Sequence, residues 1–169
     1  QYLINLHGYD DPVITKRKKN FFTKKKEFLN YFLNNVYSIY LTNIYFKKIC
    51  RKAKGIVNFA SLYAITSPKH NIYQTPKNPF YVASKFSVVG LTKYYAALFG
   101  KNVNINCIVN GGIEATQPKI FKKKLVSHIP KNRMMRSSDL FGILDLLCSE
   151  KSNYINGSII VIDGGYTSW

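Results

Sequence analysis

The sequence predicts an α/β fold, a parallel sheet covered by helices on both faces. Two observations carry this. Apolar runs of strand length alternate with amphipathic stretches long enough to cross back over a sheet. The 169 residues, 46% hydrophobic and 20% charged, suit one ordinary domain with a sizeable core. Tyr2-Leu-Ile-Asn5 reads as the end of a strand, and Lys24 to Cys50 as one long helix whose basic last turn suits its dipole. Gly55-Ile-Val-Asn-Phe-Ala60 reads as a buried strand, and Pro79 to Gly100 as a helix opened by Pro and closed by Gly. Val103 to Val109 is a further strand, followed by Gly111-Gly112. Ser137 or Ser138 caps a helix reaching about Glu150, and Ser158 to Ile162 is a last strand before Gly164-Gly165. The stretches 10–26 and 67–78 read as loops. A third irregular stretch, 114–136, follows a strand's carboxyl end, where ligands of such sheets bind, and is a candidate substrate lid.

Composition narrows the function classes. Twenty-five basic residues against eight acidic ones give a net charge of +17. All but four of the basic residues are Lys, however, and Arg is the usual residue for base and phosphate forks. Lys, Asn, Ile, Tyr and Phe are the residues of A/T-rich codons, so the excess reads first as codon bias and points to no nucleic-acid partner. Cys50, Cys107 and Cys148 form no CxxC pair, and His7, His70 and His128 have no ligand spacing, so neither a disulfide framework nor a metal site is expected, and a reducing cytoplasm fits. Phe28 to Phe46 runs nineteen residues without a charge but holds Asn30, Asn34, Asn35 and Asn43, which suits a buried helix and not a membrane span.

Ser61, Tyr81 and Lys85 carry the chemistry. Ser61 falls at the carboxyl end of a strand, the binding edge of a parallel sheet. Tyr81 and Lys85, four apart at the start of a helix, share a face. A free tyrosine titrates near pH 10 and is a poor base at neutrality. A cation beside Tyr81 is expected to lower that value, with Ser61 hydrogen-bonding a substrate oxygen while Tyr81 exchanges its proton. The pattern Tyr-x-x-x-Lys alone is common by chance in a chain so rich in both residues.

Its surroundings resemble the short-chain dehydrogenase/reductase family. Four segments match in order: Gly55-Ile-Val-Asn-Phe-Ala-Ser61; Tyr81-Val-Ala-Ser-Lys85 with Gly90-Leu-Thr-Lys93; Asn104-Ile-Asn-Cys-Ile-Val-Asn-Gly-Gly-Ile113; and Asn156-Gly-Ser-Ile-Ile-Val-Ile-Asp-Gly-Gly165. Asn35-Val-Tyr-Ser-Ile-Tyr40 is similar to the helix carrying the family's catalytic Asn, with Asn34 its immediate neighbour, and Ile4-Asn-Leu-His-Gly8 to a worn Asn-Asn-Ala-Gly turn. The resemblance implies a Rossmann-like, doubly wound three-layer α/β/α domain of which 1–169 is the carboxyl-terminal part. It implies NAD or NADP as cofactor and no metal. Tyr81 would be the general acid/base, with Lys85 lowering its pKa and binding the nicotinamide ribose. Ser61 would orient the substrate oxygen and Asn35 support a relay water. Asn5, Asn110, Gly111 and Ile113 would lie against the cofactor. It further implies a homodimer or homotetramer packed through the helices 24–50 and 79–100.

A narrower likeness to oxidoreductases of flagellin modification and nonulosonic-acid synthesis rests on Ile72-Tyr-Gln-Thr75, Gly111-Gly-Ile, Gln117-Pro118 and Ser152-Asn-Tyr-Ile-Asn-Gly157, and implies a sugar or sugar-phosphate substrate. Two positions depart from the family pattern: Asn110 replaces a Pro, and Ala115 stands where a Thr is common, with Thr116 beside it. No GxxxGxG turn occurs in the sequence. With Gln1 at its start, the chain reads as a carboxyl-terminal piece of a longer enzyme, inactive alone. The alternatives are a non-catalytic remnant of such an enzyme and a basic nucleic-acid-binding protein.

Overall fold

The computed structural model describes residues 1–10, 24–73 and 75–169. Four strands, β1 (Tyr2–Asn5), β2 (Gly55–Phe59), β3 (Asn104–Asn110) and β4 (Ile159–Ile162), form one parallel sheet in sequence order. Register pairs Ile4 with Val57, Val57 with Asn106, and Ile108 with Ile160. This is the expected α/β class, and the side-chain alternation along each strand sorts the core into two faces. Ile56 and Ile105 pack with Tyr95 and Ala96 of α3 (Pro79–Phe99), while Val57, Phe59 and Ile108 pack with Leu140 and Leu147 on the opposite face. That second face is covered by α5 (Phe141–Leu147) and the 3-10 turn before it.

The helix expected over 24–50 is a continuous helical run with one interruption. α1 (Lys25–Phe32) and α2 (Ser38–Ile49) are joined by a π-helical turn, Leu33–Tyr37. The wider turn coincides with Asn35, which is wholly buried and drawn inward by three hydrogen bonds. Asn43 is wholly buried too. A ladder of amides crosses the sheet here: Asn5 Nδ2 donates to Asn43 Oδ1 (2.9 Å) and Asn58 Oδ1 (2.8 Å), and Asn58 Nδ2 donates to Thr92 Oγ1 (3.1 Å). It ties β1, α2, β2 and α3 together through buried polar groups, with Asn43 Nδ2 left without a partner among the described residues.

α3 begins as its sequence dictates, with Asn78 Oδ1 accepting from the Phe80 amide (2.8 Å), Pro79 in the first turn and Gly100 after the last. Two expectations need correction. The 114–136 stretch is not wholly irregular, because α4 (Lys119–Val126) buries Leu125 against the core. Neither Ser137 nor Ser138 caps the helix that follows. Arg136 is the N-cap, and Asp139, three residues on, closes a capping box by accepting from the Arg136 amide (2.7 Å) while paired to both terminal nitrogens of Arg133 (2.7 and 2.9 Å). Gly164 and Gly165, at φ +67° and +91°, form a left-handed turn around Asp163, which accepts from the Gly165 and Thr167 amides. Among the described residues no helix is long and apolar enough to cross a membrane, and no three His, Cys, Asp or Glu side chains gather as a metal site. Residues 11–23 of the expected 10–26 loop, and Gln74, lie outside the described residues.

Candidate active site

The strands β1, β2 and β3 end on one edge, and the residues just beyond them meet the start of α3. Two adjoining cavities open there. The smaller, about 210 Å³, is lined by Gly8, Phe59, Lys85, Ile113 and Leu140, among others. The larger, about 420 Å³, is lined by Ser61, Tyr63, Tyr73, Lys77, Gln117 and Phe121, among others. Tyr81, Asp10, Ala60, Asn110 and Ile113 line both and form the partition.

Of the expected residues, Ser61, Tyr81, Lys85, Asn110, Gly111 and Ile113 all reach this edge. Ser61 follows β2 and opens a 3-10 turn, its Oγ accepting from the Tyr63 amide (3.3 Å). Tyr81 and Lys85 lie one helical turn apart on the inner face of α3, the Lys85 Nζ 5.8 Å from the Tyr81 ring centre. Asn110 lines both cavities while its own amide donates to the Gly111 carbonyl (2.9 Å).

Asn35 and Asn5 are placed differently. Of the two adjacent asparagines, Asn34 is exposed and bonds back to the Asn30 carbonyl, whereas Asn35 is wholly buried. The Asn35 Oδ1 accepts from the Tyr9 amide (2.5 Å), and its Nδ2 donates to the Tyr9 carbonyl and to Ser84 Oγ (both 2.9 Å). Ser84 in turn donates to the Tyr81 carbonyl (2.7 Å). Asn35 therefore clamps the loop after β1 to the helix that carries Tyr81 and Lys85. Asn5 turns its amide into the ladder with Asn43 and Asn58, and its side chain lines neither cavity.

The electrostatics correct one expectation. Burial pushes the Tyr81 phenol up to about 12, the Ser61 hydroxyl pulling the other way and the Asp10 charge adding to the rise. Lys85 was expected to lower this value, but its own burial depresses the ammonium below the usual lysine range. Desolvation thus acts on both groups and favours their neutral forms. The Lys85 side chain has no hydrogen-bond partner among the described residues. His7, bonded to Ser38 Oγ (2.6 Å), is lowered by burial and then by the Lys85 charge.

Sequence reasoning missed Lys77 and Asp10. The Lys77 Nζ is ion-paired with Asp10 and lies 4.6 Å from the Tyr81 ring centre, nearer than Lys85, and 5.5 Å from that of Tyr73. Tyr73 and Tyr63 share a hydroxyl–hydroxyl contact of 2.5 Å in the same cavity wall. The spacing Lys77-x-x-x-Tyr81-x-x-x-Lys85 was a signal, but Pro79 separates Lys77 from the helix and hides their shared side.

The comparisons with known proteins bear on the fold and the family. The family model described as enoyl-(acyl carrier protein) reductase matches residues 1–167. A 3-oxoacyl-(acyl-carrier-protein) reductase of Thermotoga maritima is 33% identical over 66% of this chain and 44% of its own length. A 2-dehydro-3-deoxy-D-gluconate 5-dehydrogenase of Bacillus subtilis is 30% identical over 83% of this chain and 55% of its own. A flagellin modification protein of Campylobacter coli is 28% identical over 72% of this chain and 48% of its own, in keeping with the narrower likeness. The chain thus spans about half the length of the curated relatives it matches. A short-chain dehydrogenase of Leptospira borgpetersenii, solved with bound NAD+, superposes with a TM-score of 0.85 at 30% identity, covering 98% of this chain and 64% of that one. With its motifs, its parallel sheet and a family match along nearly its whole length, the chain belongs to the short-chain dehydrogenase/reductase family.

Proposed function

We propose that these residues are the catalytic part of an NAD- or NADP-dependent oxidoreductase acting on a hydroxyl- or keto-bearing carbon of a small, sugar-like substrate. One observation carries this reading: Tyr81, flanked by Ser61 on one side and Lys85 on the other, sits in the wall between two cavities. The smaller cavity fits the nicotinamide end of a dinucleotide. A buried ammonium without a hydrogen-bond partner among the described residues faces it, and a Cβ at Gly8 would come within 2.8 Å of that Nζ, so a side chain there would displace the ammonium. There Lys85 would hold the ribose hydroxyls, with Asn110, Gly111 and Ile113 beside the ring. A nicotinamide bound in this place donates or accepts the hydride.

The remaining chemistry is the chain's own. The Tyr81 hydroxyl gives its proton to a carbonyl oxygen or takes one from an alcohol, and the Ser61 hydroxyl hydrogen-bonds the same oxygen. Holding the ribose hydroxyls, Lys85 would regain hydrogen-bond acceptors and with them its charge, which would lower the Tyr81 pKa from its ligand-free value. Asn35 positions Tyr81 and Lys85 through Ser84. The 114–136 segment, contributing Gln117, Phe121 and Met134, serves as the lid of the larger cavity. The sugar-like substrate is supported by the gluconate-type and flagellin-modifying relatives. No enzymatic turnover is expected of the 169 residues alone, because the sequence holds no GxxxGxG turn for a pyrophosphate. Exposed Leu33, Tyr37, Tyr45, Phe86, Tyr94 and Leu98 on the α1–α2 run and α3 support assembly through those helices, which sedimentation would detect.

Titration with nicotinamide mononucleotide, followed by NMR, tests the cofactor reading. Saturable shifts that Lys85→Met removes support it. Absence of any shift in the unaltered chain at millimolar nucleotide overturns it.

A further inference from the structure

The larger cavity contains a charge that the oxidoreductase reading does not use. The Lys77 side chain is only 9% exposed, yet its ammonium lines the cavity beside Ser61 and Tyr81. It is ion-paired with Asp10 and packed over the rings of Tyr81 and Tyr73, at 4.6 and 5.5 Å from their centres. Two features argue against a purely structural pair. Asp10 is also shared, its other oxygen accepting from the Tyr31 hydroxyl (3.3 Å). In addition, the pair lines a partly enclosed cavity beside Ser61 and Tyr81, where attraction between an ammonium and an incoming anion strengthens as water is excluded.

We propose that Lys77 is the substrate-anchoring residue of this enzyme and receives the carboxylate of a hydroxy- or keto-acid, with Asp10 as the resident counter-ion that holds the ammonium in place between substrates. The assignment deepens the oxidoreductase reading and rests on it, because it takes the larger cavity as the substrate side. An ammonium has three donors. Asp10 engages it from one side and the aromatic faces enclose another, which leaves a direction toward the cavity for an incoming oxygen. Lys77 precedes Pro79, so it projects from the loop before α3, while Tyr81 and Lys85 project from the helix itself. An acid group held at Lys77 places its attached carbons alongside the Tyr81 ring, toward Ser61. A carboxylate suits a single ammonium already shared with Asp10; a phosphate dianion would ask for a second cation, and Lys85 is turned to the other cavity.

Calorimetric titration of the 169-residue chain at low salt, with D-gluconate and its uncharged counterpart D-glucitol, tests the proposal. Gluconate is expected to bind on the order of tenfold more tightly than glucitol, as one charge-assisted hydrogen bond provides. Lys77→Gln is expected to abolish that preference while leaving glucitol binding in place, and Lys77→Arg to retain it. Asp10→Asn, which frees the ammonium, is expected to tighten gluconate several-fold, a gain that loss of a merely structural pair would not give. The proposal is overturned by equal affinities for the two probes, by binding of neither, by a preference that survives Lys77→Gln, or by weaker gluconate binding in Asp10→Asn. A preference for D-glucose 6-phosphate over gluconate overturns the carboxylate assignment. Nicotinamide mononucleotide titrated into the same samples reports the cofactor reading separately.

Discussion

Two buried lysines flank Tyr81, and the structure holds them in opposite ways. Lys77 meets a carboxylate and two aromatic faces. Lys85 lies 5.8 Å from the centre of one ring and meets no hydrogen-bond acceptor among the described residues. Removing an ammonium from water costs several kcal/mol unless partners replace the lost hydration. Asp10 offsets that cost for Lys77. For Lys85 the more distant Asp10 charge opposes it only in part, and its proton affinity falls. The difference teaches how one wall serves two ligands: the cavity with a compensated cation is stable as it stands, and the cavity with an uncompensated one gains most from a ligand that brings oxygens. The loop after β1 sets both conditions. Gly8 lies against Lys85, Asp10 pairs with Lys77, and Tyr9 between them is gripped by Asn35.

The comparison can be broken altogether at that grip. Asn35→Ala removes three buried hydrogen bonds and leaves the Tyr9 backbone and Ser84 without those partners; it is expected to cost about 3 kcal/mol in a denaturant titration and to weaken ligand binding in both cavities. Lys85→Met sharpens it. Nicotinamide mononucleotide binding is lost, yet the chain is expected to gain about 1 kcal/mol of stability because an uncompensated buried charge has gone. Unchanged or reduced stability would show that Lys85 is compensated after all. Gly8→Ala puts a methyl where the Lys85 ammonium lies, and the end of that side chain can give way. The expected cost is at most about 1 kcal/mol, with nucleotide binding impaired and gluconate binding intact.

The smallest effects are on pH dependence, and the two groups of the motif differ in sign. The raised Tyr81 pKa means that its contribution to stability is fully present below pH 10 and lost as pH climbs toward about 12. The depressed Lys85 pKa means that the unfolded chain holds the proton more tightly, so stability rises with pH up to the ordinary lysine value of 10.5. Tyr81→Phe should therefore remove part of the loss above pH 10, and Lys85→Met part of the gain below 10.5. Thermal melts at successive pH values separate the two.

Much of this was legible in the sequence because local chemistry decided it. Pro79 and Gly100 bracket α3 as their backbone preferences require, and apolar runs bounded by polar residues mark the four strands within a residue or two of their observed limits. Tyr81 and Lys85 converge because four residues make about one helical turn. Other features escaped. The π turn at Leu33–Tyr37 and the inward choice of Asn35 over Asn34 depend on the Tyr9 backbone, far away in the chain. The α4 helix inside 114–136 was hidden by its Lys-rich surface, for its placement rests on the burial of Leu125. Arg136, and neither of the serines after it, took the N-cap, because Arg133 holds the Asp139 carboxylate where it accepts from the Arg136 amide.

The sequence by itself determined the α/β class, the places of the four strands along the chain and the Tyr81–Lys85 pair, since each rests on periodicity, spacing or short-range backbone preference, and its motifs carried the family resemblance. Tertiary structure alone decided the direction of the Tyr81 and Lys85 pKa shifts, the commitment of Asn5 to the core ladder and the arrival of Lys77 and Asp10 at the site. Those outcomes turn on desolvation and on contacts between segments distant in the chain, and both come into being only when the chain has packed.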